Sequence, residues 1–264
     1  MSDLAALKET LKKVRVERRH DGALWHVTLD APKGNVLDSA LTAELTGIFG
    51  VAALETGLKA IVLTAAGKHF SFGASVEEHR PEKAAAMLAD FHGLFRQIAQ
   101  SGVPVLVAVR GVCLGGGLEL VSFCQRIFAH PGSSFGQPEI ALGVFAPVAS
   151  AILADRIGRG GADDLLLTGR TVKCDEAREL RLVDAVEEDP EAAAFAWAEK
   201  HFLPRSASSL RLATRASRLE FLLRFDGFIE DLERMYLDEL MATKDATEGI
   251  EAFLEKREPN WIDG

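Results

Sequence analysis

The chain has 264 residues, of which 48% are hydrophobic, and a formal net charge of −9. That length allows one large domain with a sizeable core, or one domain with an appendage. The acidic balance argues against nucleic acid as the main partner, since phosphate backbones are met by clustered Lys and Arg, whereas a small phosphorylated ligand needs only a few local cations. The three cysteines, Cys113, Cys124 and Cys174, show no C-x-x-C spacing and suggest neither a disulfide framework nor a zinc site. The start, MSDLAALKETLKK, is amphipathic and lacks an apolar h-region. No apolar run approaches the roughly 18 residues of a membrane span. A soluble cytoplasmic protein without membrane contact is expected.

The elements follow in chain order. Val14–Arg19 and residues 23–29 flank Asp21-Gly22, a hairpin signal. Asp38 can cap a helix running to about Glu55. Residues 59–64 (KAIVLT) form a buried-strand run. Pro81 opens a helix to about Gln100, at the first helical position where Pro is tolerated. Residues 104–109 (PVLVAV) are a second buried strand, followed by a Gly-rich turn, a helix over about Gly116–Phe123 and a short strand at Arg126–Ala129. Strands apolar on both faces, alternating with helices, read as an α/β layered fold. From Ala146 onward helical signals dominate, with one short strand near 182–186 and helical periodicity at 190–202, 206–222, 226–242 and 245–257. No linker separates the halves. The division is an α/β core over residues 1–200 and a helical lid or assembly region over 201–264.

Three stretches carry chemistry. GGGLE at 115–119 follows the strand PVLVAV and opens a helix. Backbone N–H groups in such a turn are unpaired and have the helix dipole behind them, so they can hold negative charge developing on an oxygen. The turn could also serve only tight packing. No Lys-Ser/Thr follows it, and it is not G-x-G-x-x-G, so it is no nucleotide loop. In FGQPEIALG at 135–143, Glu139 stands among apolar residues. Desolvation there would raise its pKa and suit it to general acid work, although a surface glutamate at a turn reads the same way. In GKHFSFGASVEEH at 67–79, Gly73-Ala74 again follows a strand end and offers a second N–H donor where open α/β sheets bind ligands.

Taken in this order, the motifs resemble the crotonase, or enoyl-CoA hydratase/isomerase, superfamily over nearly the whole chain. The resemblance implies a crotonase-like spiral of β-β-α units with a C-terminal helical assembly region. It implies an oxyanion hole for a thioester carbonyl made by the N–H groups of Ala74 (FGAS) and Gly116 (LGGGLE), next to Gly73 and Gly115. One such donor is commonly worth about 2.7–4 kcal/mol of barrier. The family's two hydratase glutamates fall on Glu119 and Glu139, a pair that adds water without a metal or separate cofactor. PKGNVL at 32–37, with Lys33 and Val36, resembles the loop contacting coenzyme A, and Lys68 is a further phosphate candidate. Lys256, in FLEKREPNW, matches the closing helix that reaches coenzyme A on a neighbouring subunit. A homotrimer or dimer of trimers is implied.

Two departures bear on the substrate. The family's A-G-x-D loop reads Phe72-Gly73-Ala74-Ser75, and its Gly-rich G-A-G-G-T segment is replaced within GVFAPVASAI at 143–152. These stretches, with the ending ELMATKDATEGIEAFLEKR, are most similar to dienoyl-CoA hydratases. That implies a flat cyclic dienoyl thioester held by Phe72, Phe145 and Val148. An ordinary enoyl-CoA hydratase, a double-bond isomerase, a ring-opening hydrolase and a silent acyl-CoA-binding protein share the scaffold. Both glutamates are present, which disfavours the isomerase and the silent protein. His69 and His79 are loop residues near this site. His20, His26, His92, His130 and His201 show no metal spacing. Phe221, Phe225 and Leu232 are expected to pack inward.

Overall fold

The computed structural model describes residues 4–264. The chain runs through α1 (Leu4–Thr10), β1 (Val14–Arg19), β2 (Leu24–Leu29), α2 (Ser39–Leu54), β3 (Ala60–Ala65), α3 (Pro81–Ser101), β4 (Val105–Val109), β5 (Val112–Leu114), α4 (Gly116–Phe123) and β6 (Arg126–Ala129). It continues through β7 (Ser134–Gly136), α5 (Pro147–Thr168), β8 (Thr171–Lys173), α6 (Cys174–Glu179), β9 (Ala185–Val186), α7 (Pro190–His201), α8 (Ala207–Ser217), α9 (Leu219–Arg234) and α10 (Lys244–Glu255). The first three residues lie outside those described.

The hairpin expected at Asp21-Gly22 forms, with Arg19 paired to Leu24. Its turn places His20, Asp21 and Gly22 at positive φ, 52°, 54° and 89°. From β2 onward the large sheet is parallel, in the order β1-β2-β3-β4-β6-β9. Strands β2 and β4 are buried along their whole length, because helices cover both faces. Asp38 caps α2 by accepting from the Leu41 N–H at 2.9 Å.

A second sheet, β5-β7-β8, holds strands of three residues that no sequence periodicity marks. It explains the coil of the chain. Each turn places one strand in the large sheet, a short extended piece beside the previous turn, and then a helix. The pieces are Leu37 before α2, Ser71 before α3, β5 before α4 and β7 before α5. Leu37 bridges Ala74, Ser71 bridges Cys113, and β5 pairs with β7 in parallel. This is the β-β-α spiral.

The main core lies between the large sheet and α2–α5, and residues past 200 belong to it: Phe225, Ile229, Tyr236, Ala246 and Ile250 are all buried there. Phe225 meets Phe123 at 5.3 Å and Phe95 at 6.2 Å between ring centroids. Arg211 of α8 donates to the carbonyls of Ala52, Ala53, Glu55 and Ser101, at 2.5–3.1 Å, and so closes the C-terminal ends of α2 and α3. A smaller core on the other sheet face is capped by Ala194, Phe195 and Ala198 of α7. The helical tail breaks differently from its periodicity. The run 206–222 divides at Arg218 (φ −116°, ψ 8°), and α9 passes into a π-turn at Met235–Glu239 and a single turn at Leu240–Ala242. Among the described residues no helix is long and apolar enough to cross a membrane.

Candidate active site

Two neighbouring turns of the spiral end in free N–H groups. Ser71 is in register with Cys113, and three residues further along each piece stand Ala74 and Gly116. The Leu37 N–H donates to the Gly73 carbonyl at 2.9 Å and the Ser75 N–H to the Leu37 carbonyl at 3.3 Å. In extended chain, alternate residues face opposite ways, so the Ala74 N–H faces away from Leu37 and toward the 114–116 turn. Gly116 opens α4, where an N–H has no intrahelical acceptor. Neither of these two N–H groups has a hydrogen-bond partner among the described residues. A Cβ on Gly116 would lie 3.1 Å from the Ala74 nitrogen.

Each of the three consecutive glycines has its own reason. Gly115 adopts φ 51°, ψ −129°, a region costly for any residue with a Cβ. A Cβ there would also stand 2.7 Å from Oε1 of Glu139. Gly116 leaves room for the Ala74 N–H and the Phe91 ring, and a Cβ on Gly117 would meet Cβ of Ser71 at 2.6 Å.

Glu119 is the fourth residue of α4 and is buried. Its Oε1 accepts from the Ala149 N–H at 2.8 Å, in the first turn of α5. Burial pushes its carboxyl up to about 7, against the pull of the Ala149 and Val148 N–H groups. Glu139 sits in the single turn Pro138–Leu142, closed by Val144 N–H to Glu139 carbonyl at 3.2 Å. Its residue surface is partly open, but its Oε2 is buried and has no partner among the described residues. Burial, and then the charge of Glu119, push its carboxyl up to about 8. Near neutral pH such a pair favours one proton between two carboxyls.

Glu139 lines a cleft of about 500 Å³ together with Phe72, Gly73, Ala74, His79 and Gly115. Phe72 lies against Gly34, where a Cβ would come within 1.9 Å of the ring. Gly116 and Glu119 do not line this cleft themselves; Gly116 adjoins it through Gly115, and Glu119 is close enough for its charge to act on Glu139. N–H groups without partners near a carboxyl pair can hold a developing oxyanion and move protons. A concavity of about 630 Å³ between α3 and α9 shares none of these residues.

The other expected residues fall elsewhere. Lys33, at φ 68°, and Lys68 are exposed and do not line the cleft. Val36 is half-buried beside Leu37. The resemblance leads one to expect the Val148 side chain at the acyl group, but that side chain is packed into the main core, and its backbone N–H reaches Glu119 instead. Phe145 is likewise taken up by packing, against Tyr236 at 5.3 Å. Lys256 is exposed as the C-cap of α10, at φ 57°, while the adjacent Arg257 lines the cleft and pairs with Glu248 at 2.5 Å. His69 accepts from the Val112 N–H at 3.1 Å, a loop-holding contact, whereas His79 faces the cleft with Nδ1 bonded to the Ser75 carbonyl at 2.8 Å.

Sequence reasoning missed the α5 N-terminus as the anchor of Glu119. The available signal was Pro147, a residue favoured at the first helical position, which marks the N–H groups of Val148 and Ala149 as unpaired donors. It also missed Tyr236, for which no local signal exists.

Residues 19–264 match the family model described as enoyl-CoA hydratase/isomerase. The chain is similar to a cyclohexa-1,5-dienecarbonyl-CoA hydratase of Thauera aromatica, 47% identical over 255 residues, which cover 97% of this chain and 99% of that one. A mevalonyl-coenzyme A hydratase of Beauveria bassiana is 31% identical over 258 residues, covering 90% of each chain. The crystal structure of an enoyl-CoA hydratase from Mycobacterium avium superposes with a TM-score of 0.84 at 28% identity, covering 96% of this chain and all of that one. Matching motifs, coil and full-length relatives agree: this chain belongs to the enoyl-CoA hydratase/isomerase family.

Proposed function

We propose that the protein adds water to cyclohexa-1,5-diene-1-carbonyl-CoA, giving 6-hydroxycyclohex-1-ene-1-carbonyl-CoA, as a step in anaerobic breakdown of benzoyl-CoA. The carrying observation is the buried pair Glu119 and Glu139, both with raised pKa values, near two N–H groups that have no partner among the described residues. The choice of acyl group is supported by the 47% identity to the Thauera aromatica enzyme.

In this reading the thioester oxygen accepts from the Ala74 and Gly116 N–H groups. Glu119, whose carboxylate the Ala149 N–H stabilises, takes a proton from water as its oxygen bonds to the β-carbon. The displaced electron pair passes into the thioester as a dienolate. Glu139, whose carboxyl burial and the charge of Glu119 keep protonated, delivers its proton to the far end of the diene, and the remaining ring double bond ends next to the carbonyl. One water is consumed, the carboxyl pair keeps one proton throughout, and transfer of that proton from Glu119 back to Glu139 resets the site. Coenzyme A enters as part of the substrate and no other cofactor has a role. Lys33, Lys68 and Lys256 are exposed cations for its phosphates, and Arg257 lines the cleft but is paired with Glu248.

The protein acts as a homotrimer or dimer of trimers in this reading, with the helices past residue 200 as the assembly region. The exposed Leu212, Leu219, Leu223 and Phe228 on α8 and α9 support it.

Incubation with the cyclic dienoyl thioester and with crotonyl-CoA, followed by mass spectrometry, tests the function. Gain of one water on the cyclic diene, with crotonyl-CoA nearly untouched, is expected. Fast hydration of crotonyl-CoA alone would make it an ordinary enoyl-CoA hydratase. Ring opening or an isomer of unchanged mass would move it to those reactions.

A further inference from the structure

Tyr236 is the one tyrosine in the chain. It lies in the π-turn Met235–Glu239, and such insertions are frequent at functional sites. Its side chain is fully buried, and among the described residues its hydroxyl has no partner. A buried hydroxyl left unpaired is costly, so one that persists asks for a ligand. The ring is held from two sides, by Phe145 at 5.3 Å and by His79 of the cleft at 6.5 Å. Phe145 belongs to the segment that leads into α5, whose first turn holds Glu119. The charges of Glu139 and Glu119 both act on the phenol and, after burial, help to keep it protonated, which makes it a donor.

A second orphan is close in kind: Oε2 of Glu139, also buried and unpartnered. Among the described residues, the first turn of α5 beside Glu119 has no spare donor. Pro147 carries no N–H, and the N–H groups of Val148 and Ala149 are directed at Glu119. A water with its oxygen toward Tyr236 and one O–H toward Glu139 satisfies both orphans at once.

We propose that the Tyr236 hydroxyl is a further catalytic group of this site, donating a hydrogen bond to the oxygen of the water that is added. This rests on the hydratase reading above. The water is then tetrahedrally complete. Its two O–H bonds point to Glu119 and Glu139, one lone pair accepts from Tyr236, and the other faces the β-carbon. As the C–O bond forms, the proton leaves to Glu119. Tyr236 keeps its own proton throughout and ends bonded to the new hydroxyl of the product.

The test is Tyr236→Phe, assayed for kcat and KM on whichever thioester the wild type hydrates, with Tm measured alongside. Tm is expected to change little, since the hydroxyl bonds no protein group among the described residues. The expected kcat falls about 10- to 100-fold, with KM within about twofold, as for a group that serves the added water and not the coenzyme A handle. A kcat within about twofold of wild type overturns the assignment. Because Tyr236 is the sole tyrosine, biosynthetic 3-fluorotyrosine labels it alone and needs no mutation. Its single ¹⁹F resonance should shift on addition of 6-hydroxycyclohex-1-ene-1-carbonyl-CoA, and an unmoved resonance at saturating product also overturns it. Wild-type protein that hydrates neither the cyclic diene nor crotonyl-CoA overturns the hydratase reading and this inference with it. Wild-type turnover with an unimpaired Phe variant overturns the inference alone.

Discussion

Oε1 of Glu139 stands 2.7 Å from the point that a Cβ on Gly115 would occupy. The missing side chain of one residue is thus the space used by the carboxylate of another. Gly115→Ala should therefore harm activity in two ways. It forces a residue with a Cβ into φ 51°, ψ −129°, at about 1–3 kcal/mol. It also drives Glu139 out of its position beside the 115–116 turn. The expected result is a folded protein with a lower Tm and a kcat reduced at least tenfold. A variant with wild-type kcat would show that Glu139 need not sit where it does.

Gly117→Ala should behave differently. Its Cβ would meet Ser71, whose hydroxyl ties the Asn35 carbonyl to the Gly73 N–H at 2.8 and 3.1 Å. Overpacking of this kind costs about 1–3 kcal/mol. The double variant Gly117→Ala with Ser71→Gly relieves the contact and recovers part of that Tm, measurable by thermal denaturation. No recovery would place the strain elsewhere.

Glu119→Gln and Glu139→Gln should each lower kcat by about 10²–10⁴-fold while binding of a non-reactive acyl-CoA stays within a few-fold, by calorimetry. In the wild type, kcat/KM should follow a bell with its maximum between about pH 7 and 8, since one carboxyl must be ionised and the other protonated. A flat profile across that range would refute the pairing of roles.

The same two carboxyls make stability depend on pH. Both hold their protons above the ordinary value of 4.5, so the folded chain binds protons that the unfolded chain releases. Their contribution is full below about pH 4.5 and is lost as pH rises through about 7 to 8, each tenfold difference in proton affinity being worth about 1.4 kcal/mol. Glu139→Gln removes one ionisation. Its Tm should exceed that of the wild type at about pH 9 and converge with it near pH 5. Parallel Tm curves would mean that Glu139 is not desolvated.

Much of this was legible in the chain. Strands β3 and β4 are mostly apolar runs, and their burial follows directly, whereas β2 also buries His26 and Thr28. The glycines and glutamates mark the site because chemistry demands residue types there. The short strands β5, β7 and β8 were not legible, since three residues are too few for a period and their partners lie in distant turns. The break at Arg218 carries neither Gly nor Pro. Val148 and Phe145 look like pocket residues in a linear reading. Tertiary packing claims both side chains and leaves the backbone N–H of Val148 to do the polar work. Tyr236 is silent in sequence because its neighbours at the site come from residues 79, 119, 139 and 145.

The pairing of Ser71 with Cys113 has a consequence for how the two donors are spaced. Adjacent extended pieces lie about 4.8 Å apart. An oxygen centred between two such nitrogens, at about 2.9 Å from each, sees them about 110° apart, close to the directions of its own lone pairs. In the proposed reading, the spacing of the two donors follows from backbone pairing. Insertion of one residue between 71 and 74, or between 113 and 116, moves one donor out of step with the other.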